Sequence, residues 1–205
     1  MTIVRVEPIV ETINLTWMLG ARCNYDCMYC PTELHNNTSR SPDLEQLKTA
    51  WQNFYNKTSH QQLPIKINFT GGEVTANKSF LPFIEWLGNF GISQIVVTTN
   101  GSASKNYYLK LCELIDSLSF SLHSEFVDEQ AFFDTVLACD AIMTRPKKSV
   151  HVNIMDEYWN RDRIPLYQQW CDAHYVSCSV NSIDYSRQTR EHPIMQGRLN
   201  LVAQR

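Results

Sequence analysis

Three thiols fall within eight residues in the run Cys23-Asn24-Tyr25-Asp26-Cys27-Met28-Tyr29-Cys30. Soft sulfur donors gathered on one short loop favour an iron–sulfur cluster, zinc or copper(I). A zinc site takes four ligands, and His35 stands at a serviceable distance along the chain to complete a Cys3His set. From these residues alone, cluster and zinc both stay open. The chain has seven cysteines, an odd number that rules out a complete set of intramolecular disulfides, and a tight thiol group in a reducing compartment more often holds a metal. Cys112 and Cys139 sit in the apolar stretches LKLCELI and VLACDAIM and read as core residues. Cys171 and Cys178, with His174 between them, are too few for a second metal site.

Other chemistry-bearing residues follow at intervals. Gly71-Gly72 allow a close backbone approach, and the Glu73 carboxylate beside them can accept hydrogen bonds from an ammonium group. Taken alone, that segment is an ordinary Gly-Gly turn with a solvated Glu. Thr98-Thr99-Asn100-Gly101-Ser102 reads locally as a turn in which Gly101 supplies positive φ before a helix. Ser119-Phe120-Ser121-Leu122-His123 ends in a histidine that is a candidate acid or base, or simply a hydrogen-bonding residue. In Val150-His151-Val152-Asn153-Ile154 the alternation sends His151 and Asn153 to one side.

The elements that must position these groups alternate along the chain. Strands are expected over Ile13 to Leu19, Ile65 to Thr70, Gln94 to Thr99, Ser117 to Leu122, Ser149 to Met155 and Tyr175 to Ile183. Ser41-Pro42-Asp43 is a helix start, with Ser41 capping and Pro42 at the first helical position, and it places Leu47, Trp51 and Phe54 on one face. Further helices are expected over Ser79 to Asn89, stopped by Gly91, and over Ser104 to Ile115, Asp128 to Met143 and Ile164 to His174. The alternation predicts an α/β fold, a partial (βα)6 TIM-like barrel, with a doubly wound open sheet as the other arrangement. Each motif then falls at the C-terminal end of a strand, on the one face where such barrels carry their sites.

With an aromatic, Tyr29, just before its third cysteine, Cys-x3-Cys-x2-Cys resembles the signature of the radical S-adenosylmethionine (radical SAM) enzymes. Gly71-Gly72-Glu73 resembles that family's GGE segment, and Thr99-Asn100-Gly101 its strand-end TNG segment. The resemblance implies a [4Fe-4S] cluster on Cys23, Cys27 and Cys30 whose fourth iron binds the amino and carboxylate groups of SAM. Reductive cleavage of SAM then yields a 5'-deoxyadenosyl radical that abstracts hydrogen from substrate. It further implies SAM contacts from Tyr29, Gly71, Gly72, Glu73, Thr99, Asn100, Ser121 and Asn153, with Ile183 as a backbone or apolar contact and His123 as a catalytic candidate. Strand six departs from the family by lacking a Gly-x-Ile-x-Gly-x-x-Glu pattern, which leaves the adenine contacts open. A flavodoxin- or ferredoxin-type electron donor is implied as partner. The substrate is unidentified: a small molecule, a nucleoside or a peptide, the last with a separate substrate-recognition protein. A compact 7-carboxy-7-deazaguanine synthase-like enzyme, a peptide-modifying enzyme and a glycyl-radical activase are the enzymatic alternatives. A Cys3His zinc-binding interaction module is the non-enzymatic one.

Composition bounds the rest. The 205 residues are 43% hydrophobic and 19% charged, enough apolar material for one full core and unlike a disordered chain. With 18 Lys and Arg against 21 Asp and Glu, no global basic field points to nucleic acid. Arg5, Glu7 and Glu11 interrupt the N-terminal stretch where a signal peptide needs an apolar block, and no membrane span is visible, so a cytoplasmic location is expected. The chain divides into an N-terminal extension over 1–12, a core domain over 13–185 and a C-terminal tail or helix over 186–205, which carries Arg187, Arg190, Arg198 and Arg205.

Overall fold

Asp43, rather than Ser41, opens the first helix. In the computed structural model, which describes residues 11–31, 36–144 and 148–185, the Asp43 carboxylate accepts from Gln46 N at 2.9 Å, and the Gln46 side chain accepts from Asp43 N at 2.9 Å. This reciprocal capping box satisfies two otherwise orphaned donors, so α1 runs Leu44–Thr58, with Pro42 left in the extended approach. Leu47 and Trp51 are buried on its inner face and Phe54 is half-buried, the Trp51 ring lying 6.4 Å from Trp17 on the sheet.

The strands are β1 Ile13–Met18, β2 Ile65–Thr70, β3 Gln94–Thr99, β4 Ser117–Leu122, β5 Ser149–Asp156 and β6 Ser177–Ser182. The helices between them are α2 Phe80–Leu87, α3 Lys105–Leu114, α4 Glu129–Ile142 and α5 Ile164–Ala173. The final residues of the expected second helix form a 3-10 turn, Gly88–Phe90, which Gly91 ends at φ +62°. β6 starts later than expected because Tyr175 takes φ +58°, which no strand accommodates. Val176 N donates to Cys171 O at 2.9 Å and Tyr175 N to Asp172 O at 3.2 Å, so these residues close α5 in a Schellman turn.

All five strand pairings are parallel and the order is β1-β2-β3-β4-β5-β6. A doubly wound sheet reverses its order at a switch point; this one never reverses, and the partial barrel is the arrangement present. The register puts Ile67 and Phe69, Ile95 and Val97, Leu118 and Phe120, and Val152 and Ile154 on the face that packs with the buried helix residues. Cys112 and Cys139 are buried in this core, while Cys171 is buried and Cys178 packs against its edge. Most of the alternate residues, among them Asn68, Thr70, Thr98, Ser119, Ser121, His151 and Asn153, are polar, and they face the concave side.

No helix among the described residues is long and apolar enough to cross a membrane. The tail over 186–205 and most of the extension over 1–12 lie outside the described residues, as does His35. Because Asp43 caps the start of α1, Asp43→Ala is expected to cost about 1 kcal/mol and lower Tm by a few degrees in thermal denaturation.

Candidate active site

The cysteine loop is tied down before any side chain is considered. Past the end of β1, Leu19 N donates to Thr70 O at 3.0 Å, Gly72 N to Gly20 O at 2.8 Å and Glu73 N to Arg22 O at 2.7 Å. On the loop's other edge Asn36 N donates to Ala21 O at 2.7 Å and Cys23 N to Asn36 O at 3.2 Å. The two glycines make this approach possible. A Cβ on Gly71, at φ +134°, would meet Gly20 O at 2.7 Å, and one on Gly72 would overlap the Arg22 carbonyl. Their closeness thus serves the neighbouring chain segment.

Cys23, Cys27 and Cys30, none of them in a disulfide, then line one cavity of about 210 Å³ at the C-terminal mouth of the sheet. Tyr29, Gly71, Gly72, Glu73, Thr99, Asn100, Ser121 and His123 line the same cavity. Asn153 and Ile183 do not: Asn153 Nδ2 donates to Ser119 Oγ at 2.8 Å one step away along the concave face, and Ile183 follows β6. Among the described residues no three His, Cys, Asp or Glu side chains converge as ligands of a single ion. A multi-iron cluster takes one thiolate per iron, and three thiols lining a shared cavity fit that demand. Burial, reinforced by Glu125, pushes the Cys27 thiol far above its ordinary range, and burial also raises Cys23. The thiols therefore hold protons that metal binding must displace.

Glu73 is buried, not solvated. Its Oε1 accepts from Thr75 N at 2.9 Å, Thr75 Oγ1 at 2.6 Å and Thr99 Oγ1 at 2.7 Å, and its Oε2 from Asn100 N at 2.6 Å. These bonds join the exit of β2 to the exit of β3 and leave Oε2 with one partner. Burial raises the Glu73 pKa, and the hydrogen bonds oppose that rise. Asn100 in turn donates through Nδ2 to Asn24 Oδ1 at 3.1 Å, with the Cys23 sulfur 3.9 Å away. Gly101, at φ +77°, presses against the Phe132 ring, where a Cβ would sit 2.8 Å from ring carbons.

Opposite, two expected residues, Tyr29 and His123, are linked to a carboxylate that the motifs do not include. His123 Nδ1 meets the Tyr29 hydroxyl and lies 3.6 Å from Cys27 Sγ, and Tyr25 flanks it edge-on at 6.1 Å. Tyr29 also donates to Glu157 Oε1 at 3.3 Å. Glu157, fully buried just beyond β5, accepts from both the amide and the hydroxyl of Ser124 and from Asn160 Nδ2 at 3.3 Å. Its one sequence signal was position: a carboxylate at a strand's C-terminal end, like Glu73. Burial pushes Glu157 up to about 7 and His123 down to about 4.

Two expectations follow. Gly72→Ala is expected to destabilise the chain by several kcal/mol, since the clash is with backbone that cannot move aside, and chemical denaturation measures it. The second concerns pH. Glu157 rises from 4.5 to about 7 on folding, so its contribution is full in acid and is lost as pH climbs toward 7. His123 falls from 6.5 to about 4, so its contribution is full above 6.5 and is lost as pH drops toward 4. The slopes oppose each other, at roughly 3 kcal/mol apiece. In thermal melts of the metal-free protein, Glu157→Gln should steepen the loss of stability on acidification, and His123→Gln should make stability fall between about pH 5 and 7.

No family model matches the chain. A probable GTP 3',8-cyclase of Sulfurisphaera tokodaii is 27% identical over 148 residues, covering 71% of this chain and 44% of that protein. The GTP 3',8-cyclase of Pasteurella multocida is 35% identical over 83 residues, covering 38% of this chain and 23% of the other. The chain spans less than half the length of the curated relatives it matches. A solved structure of hexahistidine-tagged anSMEcpe with bound AdoMet has the same fold, with a TM-score of 0.58 at 14% identity over 85% of this chain and 50% of that one. Three cysteines following the first strand of a singly wound parallel sheet, together with these likenesses, support the resemblance to the radical SAM superfamily.

Proposed function

We propose that the chain is a radical SAM enzyme that holds a [4Fe-4S] cluster on Cys23, Cys27 and Cys30 and binds SAM beside it. The observation that carries this reading is the convergence of the cysteine loop, the Gly71-Gly72-Glu73 segment and the Thr99-Asn100 strand end on one cavity. When bound, the cluster supplies the electron that cleaves SAM to methionine and the radical that abstracts hydrogen from substrate.

The chain's own residues supply the setting. The Gly71–Gly72 backbone and the under-used Oε2 of Glu73 face the cavity as acceptors for the SAM amine. Thr99 and Asn100 are fixed by Glu73, so the rigidity of that acceptor extends to β3. Ser121 offers a hydroxyl to the ribose or carboxylate, and Asn153, one register step across from it, a further polar contact toward the same side. Tyr29 and His123 close the far wall; His123 is neutral, able to hold a proton at one ring nitrogen and accept at the other. Ile183, which follows β6 outside the cavity lining, would meet SAM only as a backbone or apolar contact. Electrons come from a flavodoxin- or ferredoxin-type protein in the cytoplasm.

The names of the relatives favour a second, narrower reading in which GTP is the substrate. Both are tested by anaerobic reconstitution followed by reduction with and without SAM, and with and without GTP. Iron and sulfide content, a SAM-perturbed electron paramagnetic resonance signal and 5'-deoxyadenosine are expected in the wild-type chain, and Cys27→Ala should reduce all of them to background. Stoichiometric zinc with no SAM cleavage would replace the enzyme by the zinc-binding module. GTP-dependent consumption of SAM would select the narrower reading, and its absence would leave the substrate elsewhere among small molecules, nucleosides and peptides.

A further inference from the structure

The cysteine loop is held at both ends of its span, and the two ends are held differently. Toward β1 and β2 the ties are backbone hydrogen bonds, Gly72 N to Gly20 O and Glu73 N to Arg22 O. Toward β4 and β5 they are made by side chains. Met28 N donates to Glu125 Oε2 at 3.3 Å, and the Tyr29 hydroxyl donates to Glu157 Oε1 at 3.3 Å while also meeting His123.

Glu157 is the best-anchored of these partners. It is 0% exposed, and the Ser124 amide holds its Oε2 at 2.9 Å. The Ser124 hydroxyl donates to the same oxygen and itself accepts from Trp159 Nε1 at 3.1 Å. Asn160 Nδ2 adds a contact at 3.3 Å and also donates to Met155 O at 3.1 Å. One carboxylate thereby joins three loops: the cysteine loop, the β4–α4 loop and the β5–α5 loop. A buried carboxylate is costly to keep, and a turn could be closed without one. Its four donors come from all three of these loops, and the one from the cysteine loop is Tyr29, which lies between Cys27 and Cys30 in sequence.

We propose that Glu157 is the positioning residue of the cysteine loop, a brace that fixes Tyr29 across the mouth of the barrel and thereby sets where Cys27 and Cys30 stand. This rests on the reading of those cysteines as cluster ligands, but the brace itself is a property of the metal-free chain. Ligands held in place by hydrogen-bonded neighbours bind metal more tightly than free ones, and loss of such neighbours commonly lowers affinity by about 10- to 100-fold.

The test uses the metal-free protein first. Brief alkylation, followed by mass spectrometry of each cysteine, compares wild type, Tyr29→Phe, Glu157→Leu, the double variant and Glu157→Gln. Tyr29→Phe removes only the hydroxyl and keeps the ring, so it tests the brace from the loop side if Glu157→Leu fails to fold. Tyr29→Phe is expected to speed labelling of Cys27 and Cys30 by roughly tenfold, with Cys112 and Cys139 in the core unchanged. The double variant should go no further than either single change, and Glu157→Gln, whose amide can still bridge Ser124 and Tyr29, should restore a rate near wild type. After reconstitution, iron and sulfide retained against a chelator should follow the same order. Wild-type labelling in Tyr29→Phe, or effects that multiply in the double variant, would overturn the brace. If wild-type protein takes up no cluster, the functional reading fails while the labelling result still decides the brace.

Discussion

Beyond Met18 and Thr70 the first two strands stop being a sheet, yet their backbones go on exchanging hydrogen bonds, from Leu19 to Thr70 and then from Gly72 and Glu73 to Gly20 and Arg22. That continuation is the constraint on which the site depends. It brings the start of the cysteine loop against the GGE segment at a separation that only residues without Cβ permit. Whatever the loop carries must therefore face the end of β2. Glu73, the next residue, turns inward and fastens β2 to β3 through Thr99 and Asn100, and Asn100 reaches back to Asn24 in the loop. Backbone packing, a buried carboxylate and an amide thus form a closed circuit around the cavity.

Two buried carboxylates frame this cavity, and their surroundings give them different states. Glu73 accepts four short hydrogen bonds from Thr75, Thr99 and Asn100, which opposes the rise in pKa that burial causes. Glu157 has longer contacts to the side chains of Tyr29 and Asn160, and burial carries it to about 7. The thiols between them share the same low-dielectric space, and nearby carboxylates raise their pKa further. A bound cation would offset part of these penalties, because it adds attraction for the charged forms that burial disfavours.

Much of this was legible in sequence because it depends on short-range rules. β2, β3 and β4 run between the expected residues, since period-two alternation and turn residues define both ends. Asp43 displaced Ser41 because Gln46 stands three residues after Asp43, completing a reciprocal cap that Ser41 has no partner to form. Tyr175 shortened β6 because a Schellman turn needs a left-handed residue there, and a tyrosine gives no hint that it will supply one. The burial of Glu73 is not visible in its own segment for a related reason. A Gly-Gly-Glu turn is solvent-exposed unless two other strands end beside it, and sequence does not display that adjacency. Glu157 is a purer case: its partners are 128 and 33 residues away, at Tyr29 and Ser124.

The two faces of the sheet divide stability from recognition. In a closed eight-stranded barrel the inward side chains are bulky, apolar and packed. Here the inward residues of β4, β5 and β6 bond to one another instead: Ser117 to Ser149 at 2.9 Å, His151 to Ser177 at 3.0 Å and Ser179 at 2.9 Å, and Asn153 to Ser119 at 2.8 Å. Such a face contributes little hydrophobic free energy, so nearly all of it must come from the outward side, where Phe69, Phe120, Val152 and the helices exclude water. Changes on the inner face are then cheap for the fold, and a shared scaffold can vary its inner residues without losing its core. The cysteine loop lies at the rim where the two faces meet, which lets it draw rigidity from the packed side while its thiols open toward the polar one.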